Sequence, residues 1–202
     1  MKKSTATLIL AFVILLGLFL RVYDLGAESL WTDEAFSVHH AGNQKWVTFL
    51  SDISATEAAP PGYYLFLHYW MQWFGDSEFS VRFPSVLFSL LSLAVFFILL
   101  WRFTGTNTAL LATAFMATFM LEVMFAQEAR LYALFTLMAL LATFFFCRLF
   151  FGLKSPSWKD YAGYALLLFL ALYVNYLAFL LVVLYGLAVL YKWKELPWGV
   201  KR

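Results

Sequence analysis

Charge is what this chain of 202 residues has least of: Asp, Glu, Lys and Arg make up 13% of it, against about 25% in ordinary soluble domains. With 63% apolar and 21% aromatic residues, one soluble core of this length cannot bury so much hydrophobic mass, which excludes an ordinary soluble domain. The net charge of +2 includes no dense basic cluster, which argues against a nucleic-acid partner. A single cysteine, Cys147, excludes a disulfide within the chain, and its apolar surroundings mark it as a small buried residue. No glycine-rich phosphate-cradling loop is present.

What is there is a series of long apolar runs; mean hydropathy is +0.78. Lys2 and Lys3 precede a run from Thr5 to Leu20 that resembles a signal peptide, but Arg21-Val22-Tyr23-Asp24 offers no small-residue cleavage pattern. It reads as an uncleaved first span. The pattern predicts an all-α polytopic membrane protein, one domain over residues 1–202 with about six transmembrane helices of ~20 residues or somewhat fewer. The expected spans are 5–23, 84–101, 108–125, 132–151, 161–174 and 177–191, the last two forming a hairpin at Asn175-Tyr176.

Between the first two spans, residues 24–83 form a long external loop expected to carry interfacial helices. Thr32 suits an N-cap, with Asp33 and Glu34 in the first turn where the helix dipole favours negative charge. Capping and catalysis both need an ionised carboxylate there, so position alone leaves both readings open. Pro60-Pro61-Gly62 opens a second helix from Tyr63 to Phe74, and Gly75 is placed to end it. Its His68 and Gln72 share a stripe at i, i+4 while aromatic rings fill the other faces, as in a helix at headgroup depth. His68 reads as a hydrogen-bonded interfacial histidine, and so do His39 and His40, which have no further ligand at metal spacing.

Charge sets the expected orientation. With six spans, one side holds Lys2, Lys3, Arg102, Arg148, Lys154, Lys159, Lys192, Lys194, Lys201 and Arg202; the other holds Arg21, Lys45, Arg82 and Arg130 with most of the acids. The positive-inside rule then puts both termini in the cytoplasm of a multi-pass inner or plasma membrane protein. The Asp33-Glu34 loop, the 126–131 turn and Asn175-Tyr176 are expected to meet on the outer face. There Arg130, at the mouth of a span, needs an anion. The acids of the chain, Glu122, Glu128 or the Asp33-Glu34 pair, offer an ion pair, and a lipid phosphate offers fork-shaped recognition.

The order of these motifs is informative. An Asp-Glu pair after the first span, Pro60-Pro61 leading to Tyr63-Tyr64 in a helix ending Phe74-Gly75-Asp76-Ser77-Glu78, Arg82-Phe83-Pro84-Ser85 and Gln127-Glu128-Ala129-Arg130-Leu131-Tyr132 together resemble the GT-C glycosyltransferases of the protein O-mannosyltransferase and aminoarabinose-transferase type. The resemblance implies a general-base or acceptor-orienting role for Asp33, donor or phosphate contacts for Arg130 with Tyr132 beside it, and a substrate site completed by Glu34, Tyr64, Glu128 and Asn175. It implies a polyprenyl-phosphate-sugar donor, a lipid, glycan or protein acceptor, and no cofactor. Asp33, Glu34 and Glu128 could ligate a divalent cation, but their spacing is not diagnostic and no metal is assigned. Glu57-Ala58-Ala59 and Asn175 replace a His or Lys and a His that such proteins often carry, leaving donor and acceptor preference open. The resemblance implies that the chain is the catalytic-loop half of such a fold, expected either to be a piece of a longer chain or to be a small member that works with a second membrane subunit. A non-catalytic lipid-binding or scaffold subunit is the competing expectation.

Overall fold

The computed structural model describes residues 3–42, 59–151 and 156–193. Among these, regular structure is entirely helical: α1 (Lys3–Val22), α2 (Thr32–Gly42), α3 (Gly62–Phe74), α4 (Glu78–Thr104), α5 (Thr106–Thr118), α6 (Met120–Ala126), α7 (Tyr132–Phe151), α8 (Trp158–Val174) and α9 (Ala178–Tyr191). Three of them, α1, α4 and α7, are long and apolar enough to cross a membrane, and α5 with α6 adds a fourth if that pair, bent by 59°, is one span. α8 and α9 are shorter, at 17 and 14 residues. The protein is an all-α polytopic membrane protein. Rows of exposed Leu, Phe and Val on α1 and α9 are the surfaces such a chain turns to lipid.

α4 packs against α1, α5 and α7, and α7 in turn carries α8 and α9 on its far side. One core joins Val13, Leu93 and Ala117 of α1, α4 and α5. A second, larger core unites Ala41, Tyr63, Tyr64, Leu67, Val81, Leu131, Leu134 and Val174, and so ties the loop helices α2 and α3 to one end of the bundle. Gly62 sits where α3 meets the end of α8; a Cβ there would fall 2.4 Å from the Tyr173 carbonyl oxygen, so no other residue permits this approach.

The corner between α3 and α4 shows how local sequence fixes the frame. Gly75 ends α3 with φ +81°, its N–H bonded to Met71 O. Ser77 then caps α4 by accepting from Ser80 N–H at 3.3 Å. α4 therefore starts at Glu78, ahead of the sequence-based span start at residue 84, and runs through Pro84. Proline has no N–H for the Ser80 carbonyl one turn earlier. Trp70 Nε1 of α3 donates to that carbonyl at 2.9 Å, which repairs the lost bond and locks the two helices together.

At the opposite end, Asp160 accepts from both the backbone N–H and the hydroxyl of Ser157 and pairs with Arg148 at 2.8 Å. These Ser157 bonds, above all, hold the Asp160 carboxyl below its usual range.

Candidate active site

α2 begins with Thr32 as its first helical residue, so it starts one position earlier than the N-cap role of Thr32 in the sequence suggests. Trp31 takes the cap position, and Glu34 reaches back to accept its N–H at 3.3 Å. The same carboxylate accepts Arg82 Nε at 2.9 Å and Nη2 at 2.7 Å, the bidentate geometry of a strong pair, and Ala129 N–H at 2.8 Å. Only 1% of the Glu34 side chain is exposed.

Arg82 uses its remaining donors on the preceding loop. Nη1 donates to Leu25 O and Glu28 O, both at 2.9 Å, and Nη2 to Ser29 O at 3.3 Å. All five of its N–H groups are thus satisfied. One ion pair pins loop 25–29, the start of α2, the first turns of α4 and the Ala129 backbone at a single point.

Asp33 faces the other way, with 45% of its side chain exposed and Oδ2 3.8 Å from Arg130 Nη2. Arg130 is oriented by donating from Nη1 to Asp33 O and to Ser37 Oγ, each at 3.2 Å. Its guanidinium also lies 6.0 Å from the centre of the Tyr132 ring. Of the acids open to Arg130 in the sequence, the one it pairs with is Asp33.

Glu128 lies half-buried between these pairs. Desolvation first, then the like charges of Glu34 and Asp33, push its carboxyl above the ordinary range, while Arg130 and Arg82 act against the rise. Beside it is a cavity of about 630 Å³, lined by Tyr23, Asp24, Glu28, Trp31, Arg82 and Gln127 among others. Carboxylates and aromatic faces of this kind suit a neutral hydroxylated ligand better than a second anion.

The structure therefore brings together Asp33, Glu34, Glu128, Arg130 and Tyr132. Tyr64 is fully buried below them, edge-on to His40 and Tyr63, in the core that supports α2. Burial likewise drives the neighbouring Tyr63 phenol far up, so it stays neutral. Asn175 stands apart: it ends α8, and its Oδ1 accepts the Leu177 N–H at 2.9 Å, a local turn contact with no bond to Asp33 or Arg130. His68 has the interfacial bonding its position suggests, with Nδ1 donating to Ala41 O and Nε2 accepting from Gln72. Among the described residues no group of three or more His, Cys, Asp or Glu is arranged to hold a metal ion. Sequence reasoning overlooked Arg82 as the partner of Glu34; the available signal was a cation close to a span, which requires an anion.

Comparison with known proteins bears on what this arrangement is for. Residues 58–198 match the family described as dolichyl-phosphate-mannose-protein mannosyltransferase. The match takes in α3 to α9, with Arg82, Glu128 and Arg130, and begins after Asp33 and Glu34. No curated protein and no solved structure matches the chain.

Proposed function

Since the chain belongs to the dolichyl-phosphate-mannose-protein mannosyltransferase family, we propose that it moves a sugar from a polyprenyl-phosphate-linked donor to a lipid, glycan or protein acceptor, with inversion, at the outer face of the cell membrane. The observation that supports this reading most is the juxtaposition of an exposed carboxylate, Asp33, with an oriented cation, Arg130, at 3.8 Å. Inverting sugar transfer from a lipid phosphate needs a base and a cation facing one another across the anomeric carbon, and a loose, solvent-open contact between the two can part to admit the sugar.

In this scheme the acceptor hydroxyl attacks the anomeric carbon, and its proton passes to Asp33. The bond from that carbon to the phosphate oxygen breaks through an oxocarbenium-like transition state, and attack from the face opposite the phosphate inverts the centre. Arg130 offsets the charge that develops on the departing polyprenyl phosphate. Glu34 acts through Arg82 and Ala129, keeping the two reacting groups in register. Glu128 and the adjoining cavity receive hydroxyls of the sugar or acceptor, and Tyr132 flanks Arg130. Tyr64 supports the floor of the site. Asn175 is left as a contact for a larger substrate.

The positive-inside distribution supports cytoplasmic termini and an outer site. The two acid-arginine pairs lie together where α1 and α6 end and α4 and α7 begin, and the Arg148–Asp160 pair lies at the other end of α7, so the reading puts the first two outside and the third inside.

A proteoliposome assay tests the donor. Wild type is expected to transfer radiolabelled mannose from polyprenyl-phosphate mannose and none from a soluble nucleotide-mannose, with Arg130→Ala about 10²-fold slower. Use of the nucleotide sugar, or unchanged transfer by Arg130→Ala, would contradict the scheme. A folded wild type that transfers nothing, alone or with a partner subunit, would favour a non-catalytic lipid-binding or scaffold role.

A further inference from the structure

Arg21 lies in the last turn of α1, fully buried, in a helix apolar enough to span a membrane. A cation there has to be compensated. Its direct partners are hydroxyl and carbonyl oxygens: Nε donates to Ser89 Oγ of α4 at 2.8 Å, and Nη1 to Gly17 O at 3.1 Å and to Ala117 O at 2.8 Å. Glu122 acts on it through space without a direct ion pair.

Ala117 O is the informative acceptor. In an unbroken helix it would receive the N–H of Leu121, but the chain breaks at Phe119, which has an extended ψ of 123°. The break orphans the last carbonyls of α5, and unsatisfied carbonyls are not tolerated at membrane depth. One side chain meets the need at Ala117: Arg21 donates to its carbonyl, while Thr118 Oγ1 only bonds back within α5, to Ala114 O and Phe115 O. Gly17 allows the approach, since a Cβ there would lie 3.0 Å from Leu93 Cδ1 and 3.4 Å from Arg21 Nη1.

A return contact comes from the far end of α6. Gln127 Nε2 donates to Leu20 O at 3.1 Å and Tyr23 O at 2.9 Å, the closing carbonyls of α1. Thus α1 holds the elbow before α6, and the residue after α6 holds the end of α1. Glu128, Ala129 and Arg130 follow at once.

We propose that Arg21 and Gln127 are positioning residues that form a reciprocal latch between α1 and the α5–α6 elbow, fixing the direction of α6 and so the place where Ala129 and Arg130 meet Glu34 and Asp33. The effect on sugar transfer rests on the reading of Asp33 and Arg130 given above; the effect on geometry does not.

The test is a pulsed-EPR distance in lipid nanodiscs between spin labels at Phe36→Cys and Met124→Cys, in a Cys147→Ala background, with transfer measured on the same latch variants without the label sites. The parent gives one narrow distribution. Gln127→Leu and Arg21→Met broaden and displace it, while Arg21→Lys, which keeps a donor for Ala117 O, stays closer to the parent. Gln127→Leu leaves the Arg21 network in place, so it carries the test even if Arg21→Met does not fold. In the displaced variants kcat falls about tenfold or more, and in Arg21→Met, which lies away from the cavity, KM is little changed, the consequence of misplacing a reacting group. Displaced distances with transfer intact would uphold the latch and overturn the catalytic reading of Asp33 and Arg130. A parent-like distribution in Gln127→Leu and in every Arg21 variant that folds would overturn the latch, whatever happens to transfer.

Discussion

Two acid-arginine pairs sit within one turn of each other at the same end of this bundle. Glu34 keeps 1% of its side chain exposed, accepts two N–H groups from Arg82 and two from the backbone, and closes on Arg82 at 2.7 Å. Asp33 keeps 45% exposed and faces Arg130 at 3.8 Å, beyond hydrogen-bonding distance. Four bonds hold the Glu34 carboxylate in one place. The Asp33 carboxylate has a loose contact and stands open to solvent. The same residue chemistry is used once to hold segments together and once to leave a carboxylate ready to react.

That contrast can be broken from the structural side first. Arg82→Met removes one partner of the buried pair, leaves the Glu34 charge uncompensated, and frees the Leu25, Glu28 and Ser29 carbonyls. The cost is expected to be about 3–5 kcal/mol of folding stability, read as a lowered unfolding midpoint in detergent. A loss under about 1 kcal/mol, the value of an exposed pair, would show that the pin is not structural.

A smaller effect sharpens the comparison through pH. The Glu128 carboxyl is raised by burial and by the charges of Glu34 and Asp33. Between its ordinary and its raised value the folded chain binds more protons than the unfolded one, so stability falls as pH rises through that window. Glu128→Gln removes the penalty. The variant should gain on wild type in unfolding midpoint as pH climbs from the ordinary carboxylate range toward neutrality; a constant difference would mean that neither its burial nor the two acids beside it raise the Glu128 carboxyl.

Much of this arrangement was legible in the chain because the signals were local. Gly75 marks the end of α3, the acidic pair marks the start of α2, and Arg130 beside apolar residues announces a need for an anion. The pairing itself was not legible. Arg82 and Glu34 lie 48 positions apart, and nothing local says which acid an arginine near a span will find. The break between α5 and α6 was equally silent, since Ala117-Thr118-Phe119-Met120 contains neither proline nor glycine; its stabiliser, Arg21, is 96 positions from Ala117. Nor was it legible that the Asn175 side chain would close its own turn by accepting the Leu177 N–H.

The most direct test sets the two neighbours side by side: transfer from polyprenyl-phosphate mannose and unfolding midpoint, measured on Asp33→Asn and Glu34→Gln in the same proteoliposomes. Asp33→Asn should lose about 10²–10⁴-fold in transfer at an unchanged midpoint, while Glu34→Gln should lower the midpoint as its clamp loosens. Full transfer by Asp33→Asn, or a midpoint that falls as far as that of Glu34→Gln, would contradict the division of labour between them.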